Sequence, residues 1–172
     1  QLLHIFLRDV RTDPRDAERL LAYALRKPRE YLLAHPETII RPAMVARYRR
    51  LLRRRSRGEP LPHLLGEQWF FGRPFTVNRH VLIPRPETEK MIELALDRIK
   101  NNESRIMGAP TVVDVGTGSG CVALTVAAEL PHVRVIATDV SPAALRVARE
   151  NARRHDVVSR ITFLRGNLLE PI

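Results

Sequence analysis

Residues 112–120, Val-Val-Asp-Val-Gly-Thr-Gly-Ser-Gly, constrain this chain more than any other stretch. A short β-branched run reads as a buried strand and carries a carboxylate, Asp114. Three glycines at alternate positions follow before an apolar helical pattern opens at Cys121. Glycine at Gly116, Gly118 and Gly120 lets the main chain turn sharply and lets a ligand lie against bare backbone. The helix that follows turns its unpaired N–H groups back toward the same place.

Spacing narrows the choice of ligand. A dinucleotide fingerprint is G-x-G-x-x-G with a pyrophosphate at the helix N-terminus. Here the third glycine comes one residue early, and Asp114 would repel a phosphate. A cofactor with a cationic or amine-bearing end suits that carboxylate better. The nine residues resemble motif I of the S-adenosylmethionine-dependent methyltransferases, a D/E-x-G-x-G-x-G loop that holds the amino acid part of the cofactor.

The residues after the loop alternate β and α. Strand 111–114, helix 121–130, strand 134–138, helix 141–155 and strand 161–164 predict a parallel sheet with right-handed crossovers. Pro131 closes the first of these helices, and Ser141-Pro142 opens the second as N-cap and first-turn proline. Asp139 stands at the end of the second strand, 23 residues after Gly116, where an acidic residue accepts hydrogen bonds from ribose hydroxyls. Gly166-Asn167-Leu168 ends the third, Asn167 offering amide contacts to an adenine edge and Leu168 an apolar wall. Strand ends on one side of such a sheet converge on a ligand crevice. Cys121 reads as a packing residue rather than a reactive thiolate, since no cationic neighbours stand near it in the sequence.

The first half has another character. Leu2, Leu3, Ile5 and Phe6 read as a short apolar helix. Asp13 as N-cap and Pro14 at the first helical position open a second helix, with Ala17, Leu20, Leu21, Ala24 and Leu25 at three-and-four spacing. Tyr31, Leu32 and Leu33 give a third, and a longer helix runs from Pro42 through Met44, Val45, Tyr48, Leu51 and Leu52. A small helical bundle is expected. The net charge of +10 is concentrated here, because residues 1–75 carry 16 Lys/Arg against 8 Asp/Glu. The cluster from Arg47 to Arg57 reads either as a solvated helix face or as a docking face for an acidic or nucleoprotein partner. No aromatics alternate with the arginines, so backbone or shape recognition fits better than base reading.

Between the halves, Arg57 to Gly66 reads as a turn-rich joint. Trp69, Phe70, Phe71, Phe75 and Val77 around Gly72-Arg73-Pro74 predict a β-hairpin reaching to Val81-Leu82-Ile83. His63 has no second ligand-type residue at metal spacing, and a structural role is expected for it. Ile83-Pro84-Arg85-Pro86-Glu87-Thr88-Glu89 leads into an amphipathic helix from Met91 to Lys100, which Thr88 or Glu87 can cap. The expected domains are a helical docking domain over 1–66, a hairpin linker over 67–84 and a Rossmann-like domain over 85–172. No apolar run is long enough to cross a bilayer. One cysteine and no signal segment make a reducing, cytoplasmic setting the expectation.

With these residues laid out, the chain resembles the PrmC/HemK release factor glutamine methyltransferases. The likeness is carried by residues 16–21, 54–66, 82–89, 114–120, 139–142, 148–152 and 166–171, the Ile-Pro-Arg-Pro-Glu-Thr-Glu segment with the glycine loop being most distinctive. The resemblance implies a helical domain joined by a β-hairpin to an α/β, Rossmann-like methyltransferase domain. It also implies methylation of the glutamine side-chain amide in the Gly-Gly-Gln motif of peptide chain release factors. Gly116, Thr117, Gly118, Ser119, Gly120 and Asp139 would contact S-adenosylmethionine, Asp114 would support the loop, and Leu168 would lie beside the adenine. Asn167 is a departure, since an Asp is usual there. The family's substrate-gripping Asn-Pro-Pro-Tyr motif is not in these residues, so no catalytic residue is assigned. The expectation is a fragment of a longer enzyme that does not methylate alone and leaves a strand edge exposed. Two alternatives stay open: a related amine or amide methyltransferase of nucleic acid or another protein, and a non-catalytic module on a relic cofactor fold.

Overall fold

The computed structural model describes residues 12–102 and 110–172. The opening helix expected at Leu2 to Phe6 lies outside them. The chain divides into two compact units, one ending at Leu65 and the other running from Gly66 to Ile172.

In the first unit, helix α1 (Pro14–Leu25) starts as its sequence predicts, with the Asp13 carboxylate accepting from the Arg15 N–H at 2.8 Å. It ends on Arg26 in the left-handed region (φ 54°), and the Lys27 N–H closes onto the Ala22 carbonyl. After α2 (Arg29–Ala34), helix α3 (Pro42–Ser56) ends in the same way on Gly58, where φ is +90° and the Glu59 N–H reaches the Arg54 carbonyl. The joint expected after it contains a further helical turn, α4 (Leu61–Leu65). Pro62 costs nothing in a first turn, and Leu61 and Leu64, three apart, both enter the core with Leu20, Leu21, Leu32, Ile40, Tyr48 and Leu51. Burying each of these leucines contributes about 2 kcal/mol, which is why the segment coils instead of running extended.

The second unit opens with the hairpin β1 (Glu67–Phe70) and β2 (Arg73–Thr76), paired antiparallel with Phe70 opposite Arg73. Both turn residues have positive φ, Phe71 at 49° and Gly72 at 71°, the mirror-image turn whose twist suits a two-residue hairpin. Phe70 and Phe75 are fully buried in the unit's main core with Ile92, Leu96, Leu124 and Leu130. The hairpin is therefore a wall of this unit. It stops at Thr76 and does not extend to Val81–Ile83, because Asn78 turns the chain. Its side chain accepts from the His80 N–H at 2.9 Å and its carbonyl from the Val81 N–H.

Helix α5 (Pro86–Asn102) begins earlier than expected. Pro86 is itself the first helical residue, so Glu87 and Thr88 lie inside the first turn and do not cap it. The Glu89 side chain reaches out from the helix and accepts the Phe71 N–H at 2.8 Å, holding the hairpin turn.

A parallel sheet follows in the order β3–β4–β5: β3 (Thr111–Val115), β4 (Arg134–Asp139) and β5 (Ile161–Arg165), with α6 (Cys121–Glu129) and α7 (Pro142–Arg154) as the connections. This is an α/β, Rossmann-like arrangement. The central strand β4 is the most buried, Val135 and Ala137 joining Val112, Ile161 and Phe163 against the helices. Strand alternation sends Val113 and Val115 to the other face, where they are 38% and 41% exposed. β3 lies at the sheet edge. No helix among the described residues is long and apolar enough to cross a membrane.

Candidate functional site

The carboxyl ends of the three strands are tied together by hydrogen bonds. The Gly116 and Thr117 N–H groups donate to the Thr138 carbonyl at 2.9 and 2.8 Å, joining the glycine loop to the tip of β4. The Gly166 N–H donates to the Asp139 carbonyl at 3.2 Å, and the Thr138 hydroxyl donates to the Leu168 carbonyl at 3.2 Å, joining β4 to the tip of β5. Gly116, Asp139 and Asn167 are thus held on one rim. Parallel pairing accounts for this, because strands of five, six and five residues that run side by side in the same direction end within one residue of each other.

Asp139 is the hub. One carboxylate oxygen accepts the Gly118 N–H at 3.0 Å, and the other accepts the Ser141 N–H at 2.8 Å. A carboxylate has about four acceptor positions, so it can orient the loop and still take hydroxyl donors. Asp114 faces inward: a single oxygen accepts the Thr117 hydroxyl at 2.7 Å and the Ala123 N–H at 3.1 Å in the first turn of α6. Burial pushes its carboxyl above the usual range, opposed by those two hydrogen bonds. Thr117 and Ser119 are buried, so among the loop residues it is Gly116 that is exposed. The Ser119 hydroxyl is buried beside the Cys121 thiol.

The glycines differ in what they permit. All three have positive φ, 72°, 56° and 82°. A Cβ on Gly116 would meet no atom within 4 Å, so the space beside the loop is open. On Gly120 it would stand 2.6 Å from a Leu124 methyl and 3.2 Å from the Ala148 Cβ, so this glycine serves helix packing. The apolar side chains of Val140, Leu168 and Leu169 are exposed around the rim. Leu168 has φ 49°, a strained conformation for a branched residue at a strand tip. Asn167 is exposed and donates to Glu170 at 3.3 Å.

This rim is an open shelf of glycine backbone with an exposed apolar edge and the Asp139 carboxylate, Asp114 lying behind it, and among the described residues no basic side chain enters its hydrogen-bond network. It suits a neutral or cationic adenosine-type ligand and disfavours a phosphate. Among the described residues no group of three or more His, Cys, Asp or Glu side chains is placed to hold a metal. A hollow of ≈720 Å³ lies at the opposite strand ends, lined by residues including Thr111, Arg134, Arg160 and Thr162, and shares no residue with the rim.

Residues 4–66 match the family model of the PrmC N-terminal domain, and residues 112–171 match that of a methyltransferase domain. The chain belongs to the PrmC methyltransferase family. Relatives named release factor glutamine methyltransferase include those of Nitratidesulfovibrio vulgaris, 44% identical over 88% of this chain and 49% of that one, and Moorella thermoacetica, 45% identical over 91% and 54%. That of Koribacter versatilis is 42% identical over 99% of this chain and 59% of its own length. The chain spans about half the length of the curated PrmC relatives it matches. A solved RNA methyltransferase from Salinibacter ruber, in complex with S-adenosyl-L-homocysteine, overlaps only partially, with a TM-score of 0.42 at 23% identity over 51% of this chain and 52% of that one. The PrmC assignment accordingly rests on the sequence relatives.

Two contributors to the rim escaped the sequence reading. Thr138 reads as an ordinary strand residue, yet its backbone and hydroxyl link all three tips. Asn151 lies within the apolar stripe of α7 beside Ala144, Leu145, Val147, Ala148 and Ala152, and a lone amide on that buried face was the available signal.

Proposed function

We propose that this chain is the docking and cofactor-binding portion of an S-adenosylmethionine-dependent methyltransferase that acts on the glutamine amide of the Gly-Gly-Gln motif in peptide chain release factors, in the cytoplasm at translation termination. The observation that carries the reading is the joining of the Gly116, Asp139 and Asn167 tips through Thr138. Relatives named for that activity support the choice of substrate.

On this reading the exposed Gly116 and the Gly118 backbone seat the amino acid part of the cofactor, Asp139 takes the ribose hydroxyls, and Asn167 and Leu168 flank the adenine. Thr117, Ser119 and Gly120 shape the loop, with Asp114 bracing it from within. Bound there, the cofactor supplies a methyl group activated by a sulfonium for in-line displacement. The contribution of these residues is position: loop and strand tips hold the donor in one pose, and orientation of this kind is worth several kcal/mol of barrier.

The arginine face of α3 is the proposed dock for the protein substrate or its ribosomal surroundings. Arg54 and Arg55 are committed internally, pairing with Glu59 and with Asp16, and Arg47 lies over the Tyr23 ring at 4.8 Å. Arg49, Arg53 and Arg57, four residues apart along one stripe, are exposed. Like charges at that spacing repel on an isolated helix, and an acidic partner would relieve the repulsion.

Calorimetric titration of the chain with S-adenosylmethionine tests the cofactor assignment. Saturable binding that is lost in Asp139→Ala is expected. Absence of binding to the folded wild-type chain would overturn it.

A further inference from the structure

We propose that Asn151 is a positioning residue for the glycine loop, making the shape of the loop depend on hairpin strand β2. Asn151 is 0% exposed. Its amide nitrogen donates to two carbonyls, that of Ser119 in the loop at 2.9 Å and that of Thr76 at the end of β2 at 3.0 Å. Its oxygen accepts the Thr76 N–H at 2.7 Å. Only one amide orientation works, since the flipped form would set an oxygen against two carbonyl oxygens and a nitrogen against an N–H.

The geometry of the loop gives this a purpose. In the peptide unit from Ser119 to Gly120 the carbonyl and the N–H point in opposite directions. The carbonyl is anchored on Asn151 in the core, so the Gly120 N–H points the other way, where it donates to the Thr117 carbonyl at 2.8 Å and closes a β-turn with left-handed Gly118 inside it. The Gly118 N–H leaves that turn toward Asp139. Releasing Asn151 frees the peptide plane, opens the turn and unseats the Gly118 amide. Thr76 binds both ends of the same side-chain amide and thereby fixes its rotamer, so a residue of the hairpin sets the pose of a loop it does not itself bond. A packing residue would need neither polar atom, and burying an amide in an apolar stripe is costly unless all its groups are paired.

The inference deepens the reading of the loop as the seat of S-adenosylmethionine, and its test has a readout independent of that ligand. Amide hydrogen exchange over residues 114–124 is compared in wild type, Asn151→Asp, Thr76→Pro and Leu130→Ala. N151D keeps size and acceptor but loses both N–H donors, T76P removes the N–H that orients Asn151 while keeping the Thr76 carbonyl, and L130A weakens the core at the far end of α6. Faster exchange of the Gly116–Gly120 amides is expected in N151D and T76P, and wild-type loop exchange in L130A despite its lower thermal midpoint. S-adenosylmethionine binding should weaken roughly tenfold in N151D, the scale of the one lost hydrogen bond that reaches the loop, at Ser119. Unchanged loop exchange in T76P and in folded N151D, or an equal rise in L130A, would overturn the inference. Should N151D fail to fold, the comparison of T76P with L130A decides. If wild type binds no S-adenosylmethionine, the proposed function fails while the exchange comparison still judges Asn151.

Discussion

Arg26 closes α1 in a left-handed conformation that costs an ordinary residue about 1 kcal/mol or more. Its side chain is exposed, and glycine would adopt the same backbone without that strain. Arg26→Gly should therefore stabilise the first unit by about 0.5 kcal/mol after the entropy of the freer unfolded chain is subtracted, read as a higher urea midpoint. Cys121, just past the loop, has its thiol pushed up to about 11, chiefly by burial. At neutral pH it should react with iodoacetamide far more slowly than a free thiol, reaching that rate only in denaturant. Asp114 titrates in the opposite sense to most paired carboxylates. Because its folded form holds the proton more tightly than the ordinary 3.8, the folded state binds more protons just above that value, and stability from this group falls as pH rises through the window. Asp114→Asn, which keeps an acceptor for Thr117 and Ala123, should lose that slope when denaturation midpoints are compared as pH is raised above the ordinary 3.8.

Among the elements, the glycine loop and α6 work as one piece, and Gly120 is the joint between them. A methyl group there would stand 2.6 Å from the end of the buried Leu124 side chain and 3.2 Å from the Ala148 Cβ, so Leu124 must repack within the core, and a left-handed φ adds strain that repacking does not relieve. Gly120→Ala should cost about 3 kcal/mol, combining overpacking with backbone strain, seen in chemical denaturation. Gly116→Ala pays only the backbone part, since nothing stands in front of it. The secondary structure was legible in these elements for local reasons. Asp13 and Ser141 cap helices that Pro14 and Pro142 begin, and the β-branched run of β3 leads into three glycines. The misreadings have a common origin. Leu61–Leu65 coils and Val81–Ile83 fails to pair because of what each packs on or turns around, information that five residues do not carry.

At the scale of the molecule, two compact units, each with its own buried cluster, predict calorimetric unfolding that departs from a single two-state transition. The charge asymmetry adds a second test. Reversing the stripe with Arg49→Glu, Arg53→Glu and Arg57→Glu removes three exposed cations that hold no core together, so helix content should persist. Binding to a release factor should weaken by at least tenfold at low salt and less at high salt, measured by surface plasmon resonance. Equal binding by wild type and variant would move the dock elsewhere.

Motif spacing in the sequence was enough to place a glycine loop between a strand and a helix, to predict parallel strands after it and to mark Gly116, Asp139 and Asn167 as strand tips, because caps, turns and periodicity act over a few neighbouring residues. Which groups face outward was decided only on folding. Asp114, Thr117 and Ser119 turned inward, Asp139 became the clamp of the loop, and Asn151, 32 residues beyond Ser119, became the anchor of its backbone. Hydrogen bonds across such separations depend on where a sheet and a helix bring distant residues together, and no local pattern records that.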